Sequence, residues 1–540
     1  MKLPHARTMA LGGLALLPAH AATGAHEMVV TEQHLATDVG LQILHQGGNA
    51  IDAAVAIGYA EAVVYPCCGN LGGGGFMLIH RLNGANYFLD FRETAPLAAR
   101  VNMYAAAPKS SREGWLAVAV PGTVMGLETA RARFGRLSRA ADLAPAIALA
   151  RQGFVLGDHD ADLLKRARNS ALFPAPLKSG DRLLQPDLAR TLATISAQGP
   201  AGFYQGALPH QIQATSAAYG GILTWQDFAA YQVKWRDPVV CHYRGYDITS
   251  AAPPSSGGTA LCEALNILSG YNLRALGFHS ASSINRIAEA ERHVFLDRNT
   301  ALGDPDFVAD PIAHLTDPAY AAAIRATITP DRATPSANLP PGTAPHEKYE
   351  TTHYSVVDRE GNAASVTYTL NGLFGAQVEA PGTGVILNDE MDDFTTNLGQ
   401  SNMFSLRQGV RNEIAPGKRP LSSTSPTLVT RNGKLVMVLG SPGGSRIISV
   451  VLQTIINVID YNLPIDQAVA APRVHMQYLP DTLFTEPNAL PPATIQALQA
   501  MGYQVKTVPR FGAAESIEVV DGQYLGVNDP RAASGSAEGD

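Results

Sequence analysis

Charge is scarce in this chain. Asp, Glu, Lys and Arg together make up 16% of its 540 residues, and their near balance leaves a formal net charge of −7. That excludes the basic footprint a nucleic-acid partner requires. Beyond the N-terminus no segment reaches the roughly 18 uninterrupted apolar residues of a membrane span, so none is expected. No dinucleotide fingerprint stands in a strand–turn–helix context. The run Gly72 to Gly75 lacks the Lys-Ser/Thr of a phosphate loop, so it reads as close backbone packing. A prior of about 150 residues per domain allows three or four units, yet there is no internal repeat and no flexible linker between them.

Cysteine is scarce too. Four are few for an exported chain, but 46% hydrophobic residues supply a core large enough to stand without disulfides. Cys67 and Cys68 are adjacent and poorly placed to bridge each other. Cys241 and Cys262 can pair, though connectivity does not follow from sequence. Export itself is read from the start of the chain. Lys2 and Arg7 precede an apolar run from Met9 to Leu17, and Ala19-His20-Ala21 supplies a small-x-small cleavage pattern. Residues 1–21 are therefore expected to be a signal peptide and the protein periplasmic or secreted; a buried N-terminal helix is the alternative.

The periodicity predicts a helix from His34 to Gln46 ending at Gly47-Gly48, then an Asn49-capped helix to about Val64. Strands are expected at Phe76 to His80 and Tyr87 to Phe91. Ser138 to about Ser282 reads as predominantly helical, with a strand before Ser250, and Ser283 to Arg298 as a helix. Five prolines between Thr329 and Glu350 make that stretch irregular and exposed. After Thr351 the chain turns strand-rich, with a buried strand at Lys434 to Gly440 and an apolar helix at Ser445 to Asp460. Helices on either side of central strands suggest a layered α/β sandwich.

The most informative stretch is Thr351-Thr352-His353-Tyr354-Ser355-Val356-Val357, which follows the Pro-rich segment at once. A threonine at a new N-terminus carries a hydroxyl nucleophile and its own α-amine as base. The turn from Asp358 to Asn362 fixes a hairpin in which Thr351 faces Thr369, His353 faces Thr367 and Ser355 faces Ser365. Directly opposed side chains lie about 4.5–5.5 Å apart at Cβ, which puts the Thr369 hydroxyl within reach of Thr351. A Thr-rich strand pair in any sheet has the same local pattern, so other residues must agree.

They do. The motifs Gly47-Gly48-Asn49-Ala50-Ile51-Asp52, Gly69-Asn70-Leu71-Gly72-Gly73-Gly74-Gly75-Phe76, Leu89-Asp90-Phe91-Arg92-Glu93, Pro253-Pro254-Ser255-Ser256-Gly257-Gly258, Thr351-Thr352-His353-Tyr354, Met391-Asp392-Asp393-Phe394, Lys418-Arg419-Pro420-Leu421-Ser422-Ser423 and Ser441-Pro442-Gly443-Gly444-Ser445 run in order along the chain. From Met28 to about Arg531 the sequence resembles the γ-glutamyltransferase (glutathione hydrolase) proenzymes of the N-terminal-nucleophile hydrolase superfamily. The resemblance implies a four-layer αββα sandwich and self-cleavage at the Glu350–Thr351 bond. The products would be a large subunit of residues 22–350 and a small one of 351–540, joined as a heterodimer. It implies Thr351 as nucleophile, Thr369 holding its hydroxyl, and Gly443 and Gly444 as oxyanion hole. Arg92 with Ser422 and Ser423 would receive the donor's α-carboxylate, and Asn371, Glu390 and Asp393 its α-ammonium. It implies no cofactor and no metal. Its partners would be a small γ-glutamyl donor and an amino-acid, peptide or water acceptor.

One departure stands out. Within Thr395 to Ala415, the segment matching the family's lid, Phe404 occupies a position where a Tyr often meets the Asn. Its ring can still cover a substrate, but the hydroxyl bond to Asn371 is lost. Two other readings compete: a cephalosporin or glutaryl acylase on the same fold, which needs no acidic cluster for an ammonium, and a non-processing binding relative. Asp158-His159-Asp160 with Asp162 hints at a metal site but reads better as a capped helix start. His353 reads as a structural strand residue.

Overall fold

The computed structural model describes residues 19–173, 176–336 and 351–540. Glu350, most of the expected signal peptide and most of the Pro-rich segment lie outside them. The first helix, His34–His45, buries Ala36, Val39, Ile43 and Leu44 and stops before Gly47, whose φ of 89° suits glycine. Asn49 then caps Ala50–Val64. Its side chain accepts from the N–H groups of Ile51 and Asp52, and Asp52 accepts in return from Asn49 N–H. Every residue of this second helix is buried, so its apolar pattern is continuous rather than one-sided.

Two seven-stranded sheets carry the fold, with every neighbouring pair antiparallel. One sheet runs in the order Ser536–Gly539, Met28–Thr31, Thr352–Val357, Ala363–Thr369, Gly74–His80, Asn86–Phe91, Lys234–Arg236. The other runs His20–Gly24, Gln523–Asn528, Ser516–Val520, Lys434–Leu439, Thr427–Arg431, Tyr246–Ser250, Val239–Tyr243. Strand alternation builds the layers. Tyr354 and Val356 point to the helical side, where the Tyr354 hydroxyl donates to Ala54 O (2.9 Å). Ser355 and Ser365 point to the second sheet, donating to Glu515 O and Leu439 O at 2.8 Å each. The helices Gly257–Leu268 and Ile447–Ile459 cover the second sheet's far face. The result is the expected αββα sandwich.

The hairpin register is the expected one: His353 pairs with Thr367 and Ser355 with Ser365. Three local expectations need correction. Val239–Tyr243 and Lys234–Arg236 are strands inside the stretch read as mainly helical. The buried-exposed alternation of Val239–Tyr243 follows from its place at a sheet edge, with one face on the core. Cys67 and Cys68, expected not to bridge, are disulfide-bonded, as are Cys241 and Cys262. The adjacent pair sits in the turn that leaves the second helix, where Cys68 N–H bonds Tyr65 O (3.3 Å), and that turn directs both sulfurs together. Lys434–Leu439 is buried only in its second half.

The acidic cluster at Asp158 is a helix start, as read. Asp160 accepts from Gly157 N–H (3.0 Å) and Asp162 pairs with Lys165 (2.9 Å). The expected cut after Ala21 falls within the strand His20–Gly24. Among the described residues no helix is long and apolar enough to cross a membrane.

Candidate active site

Thr351 stands at the edge of its strand, on the same face as His353 and Ser355, with its Oγ1 3.2 Å from Thr369 Oγ1. Thr369 Oγ1 also accepts from Asn371 N–H at 2.8 Å, which helps fix the orientation of the Thr369 hydroxyl. Below this pair His353 is fully buried between Thr367 Oγ1 (2.8 Å) and Ser355 Oγ (3.2 Å). Desolvation pushes its pKa down to about 3, so it is neutral and structural. A Cβ on Gly440 would lie 2.1 Å from its ring; only glycine lets the sheets close here.

Thr351 opens onto two cavities. One, of about 920 Å³, is lined by Thr351 together with Glu32, Gly443, Arg446 and Arg510 among others. The other is narrow and holds Thr351, Thr369, Asn371 and Gly444. Arg92, Asp393, Ser422, Ser423 and Phe404 line the same cavity. Of the described residues expected at the site, only Glu390 is off both walls. It is fully buried behind Arg92.

Arg92, 1% exposed, is held on three sides. Its Nη1 lies 2.8 Å from Glu390 Oε2 and 3.6 Å from Glu93 Oε2, its Nη2 2.6 Å from Asp393 Oδ2, and its Nε donates to Pro420 O (3.2 Å). Burial alone would lower its pKa, but Glu390, Glu93 and Asp393 outweigh that and raise it. Burial lifts all three carboxyls above their ordinary values, against the pull of Arg92. Cation and anion of the expected clamp thus pair with each other.

Gly443 and Gly444 follow the strand Lys434–Leu439 with φ of 130° and 56°, a backbone path that other residues adopt only with strain. Among the described residues neither N–H has a hydrogen-bond acceptor. Two such N–H groups are of the kind that can bind a developing oxyanion. The ring of Phe404 packs on Gly444, where an added Cβ would meet it at 2.5 Å. Asn371 Nδ2 donates to Met403 Sδ (3.4 Å), the residue before Phe404, and to Asp389 O (3.1 Å). Asp392 Oδ2 holds Met403 N–H (2.7 Å).

The sequence profile described as Gamma-glutamyltranspeptidase matches residues 36–539. The chain belongs to that family. As a γ-glutamyltranspeptidase family member it is an enzyme of γ-glutamyl hydrolysis and transfer, built as an N-terminal-nucleophile hydrolase. It is 50% identical to a protein named glutathione hydrolase proenzyme from Pseudomonas sp. (strain A14), covering 97% of each chain. It is 45% identical to the protein of that name from Escherichia coli (strain K12), covering 93% of this chain and 90% of that one. A solved structure of a cephalosporin acylase from Bacillus halodurans superposes with a TM-score of 0.83 at 26% identity, over 100% of this chain and 99% of that one.

Two residues escaped the sequence reading. Glu32 accepts from His353 N–H (2.8 Å) and lines the larger cavity; nothing in the bend that follows Met28–Thr31 marked it. Arg298 lines the narrow cavity. It had a signal, since it falls one turn after Val294 and Phe295 on the apolar face of Ala281–Ala301.

Proposed function

We propose that this protein cleaves itself before Thr351 and then hydrolyses or transfers the γ-glutamyl group of glutathione and related compounds through an ester on Thr351. The observation that carries the reading is the conjunction at one narrow cavity of the Thr351–Thr369 hydroxyl pair with the Arg92–Asp393 ion pair. Before cleavage the Thr351 hydroxyl attacks the carbonyl of Glu350; the amide C–N bond breaks as the proton passes to nitrogen, which frees the α-amine and leaves an ester, and water then hydrolyses that ester to free the Thr351 hydroxyl and the Glu350 carboxylate. In turnover that amine takes the hydroxyl proton as Thr351 Oγ1 attacks the γ-carbonyl, and the N–H groups of Gly443 and Gly444 bind the oxyanion. Collapse breaks the amide and returns the proton to the departing amine. Water or an acceptor amine then enters from the larger cavity and releases the γ-glutamyl group. Arg92, Ser422 and Ser423 receive the donor's α-carboxylate, and Asp393 and Asn371 its α-ammonium, with Glu390 acting through Arg92. The two pieces, 22–350 and 351–540, stay together as a heterodimer, and the N-terminal segment directs export.

Comparing turnover of a γ-glutamyl anilide and a glutaryl anilide, with mass analysis of the trapped acyl-enzyme, tests this reading. A strong preference for the γ-glutamyl donor and an ester on Thr351 are expected. Preference for the glutaryl donor would make the protein an acylase, and turnover without modification of Thr351 would remove the nucleophile.

A further inference from the structure

The donor cavity has a second cation. Arg298 is 2% exposed, at the last turn of Ala281–Ala301, and shares the wall with Arg92, Asp393 and Thr351. Its surroundings differ from those of Arg92. Nε donates to Ser256 Oγ (3.1 Å), Nη1 to Asn299 Oδ1 (3.0 Å) and Gln408 Oε1 (2.9 Å), and Nη2 to Ser423 Oγ (3.1 Å). All four acceptors are neutral. Among the described residues no carboxylate lies within ion-pair distance of it. Burial pulls its pKa down to about 10, so it keeps its charge at neutral pH.

This placement bears on an imbalance in the site. Arg92 already touches three carboxylates, so its charge is matched before any donor arrives. A buried cation bonded only to neutral oxygens is costly to retain unless an anion comes to meet it. Arg298 is also tied to both halves of the cavity. Ser423 belongs to the expected carboxylate site, and Ser256 donates to Ser422 O (2.7 Å). On the other side Gln408, which accepts from Arg298, donates to Asp393 O (2.8 Å).

We propose that Arg298 is a specificity-determining residue of the donor site: it orients the Ser423 hydroxyl and supplies the unmatched positive charge that draws in the donor's α-carboxylate. The proposal rests on the γ-glutamyl reading above and extends it by giving carboxylate recognition a second cation. A purely structural role, tying the helix end to Ser256 and Gln408, would treat every donor alike.

Three anilides separate these roles. The γ-glutamyl donor has both α-carboxylate and α-ammonium, the glutaryl donor keeps only the carboxylate, and the 4-aminobutanoyl donor keeps only the ammonium. In cleaved Arg298→Gln enzyme, KM for the two carboxylate-bearing donors should rise about tenfold or more with kcat little changed. The kcat/KM for the 4-aminobutanoyl donor should stay at the wild-type value. Arg298→Lys keeps the charge and should retain most of the wild-type preference for carboxylate-bearing donors. If Arg298→Gln fails to self-process, the Lys variant carries the test alone: loss of that preference with the charge retained overturns the proposal. Equal losses on all three donors, or no loss on any, overturn it too. The wild-type choice between γ-glutamyl and glutaryl donors tests the function itself, so the two failures read separately.

Discussion

Arg92 and Asp393 form one buried ion pair. Each was expected to meet one charge of the donor, and they meet each other at 2.6 Å. Under the proposed reading, a donor lacking the ammonium would break the pair and leave Asp393 unmatched in a dry cavity. Asp393→Asn removes the charge at nearly constant volume while Glu390 remains on Arg92. A hydrogen bond to a charged group is worth about 1.5–3 kcal/mol. The ratio of kcat/KM for γ-glutamyl over glutaryl anilide should therefore fall about tenfold or more. An unchanged ratio, with both activities reduced together, would make Asp393 structural.

At the scale of elements, the hairpin Thr352–Val357 with Ala363–Thr369 is the axis of the site, and the helix Ala50–Val64 backs it. Glu61 of that helix accepts from Thr352 Oγ1 (3.0 Å), next to the nucleophile. Burial raises its pKa from 4.5 to about 8, against the pull of the Thr352 hydroxyl. The unfolded carboxyl gives up its proton near 4.5 and the folded one near 8. Between those values the folded state holds the extra proton. Stability fully present below the lower value is thus lost as pH rises through the upper one. Glu61→Gln removes this titration. Its stability should fall less steeply across that window, by about 1.4 kcal/mol per pH unit. Denaturant unfolding at a series of pH values checks this, and identical slopes would show that Glu61 does not titrate there.

On the scale of the whole molecule, the strands flanking the hairpin come from the other side of the expected cut. Met28–Thr31 pairs with Thr352–Val357, and Gly74–His80 with Ala363–Thr369. Separating the pieces would expose both edges of the hairpin and the core on each face. Cleaved protein should therefore elute as one species from a sizing column and run as two bands only on a denaturing gel. Thr351→Ala should give one uncut band. Cleavage in that variant, or two species under native conditions, would refute the arrangement.

Local order alone determined a good deal. The capping box at Asn49, the hairpin register and the ordered motifs around Thr351, Arg92 and Gly443 follow from neighbours a few residues apart, because turns, caps and strand alternation are short-range. Those motifs also carried the family. Tertiary structure decided what depends on charges and faces meeting across hundreds of residues. It paired Arg92 with Asp393, set Glu390 behind Arg92, and brought Met403 to Asn371. It also made Val239–Tyr243 an edge strand and turned Arg298 into the donor cavity. Such contacts are not encoded at any fixed spacing. They arise when two sheets and their covering helices close on one core, and burial then determines which charges meet.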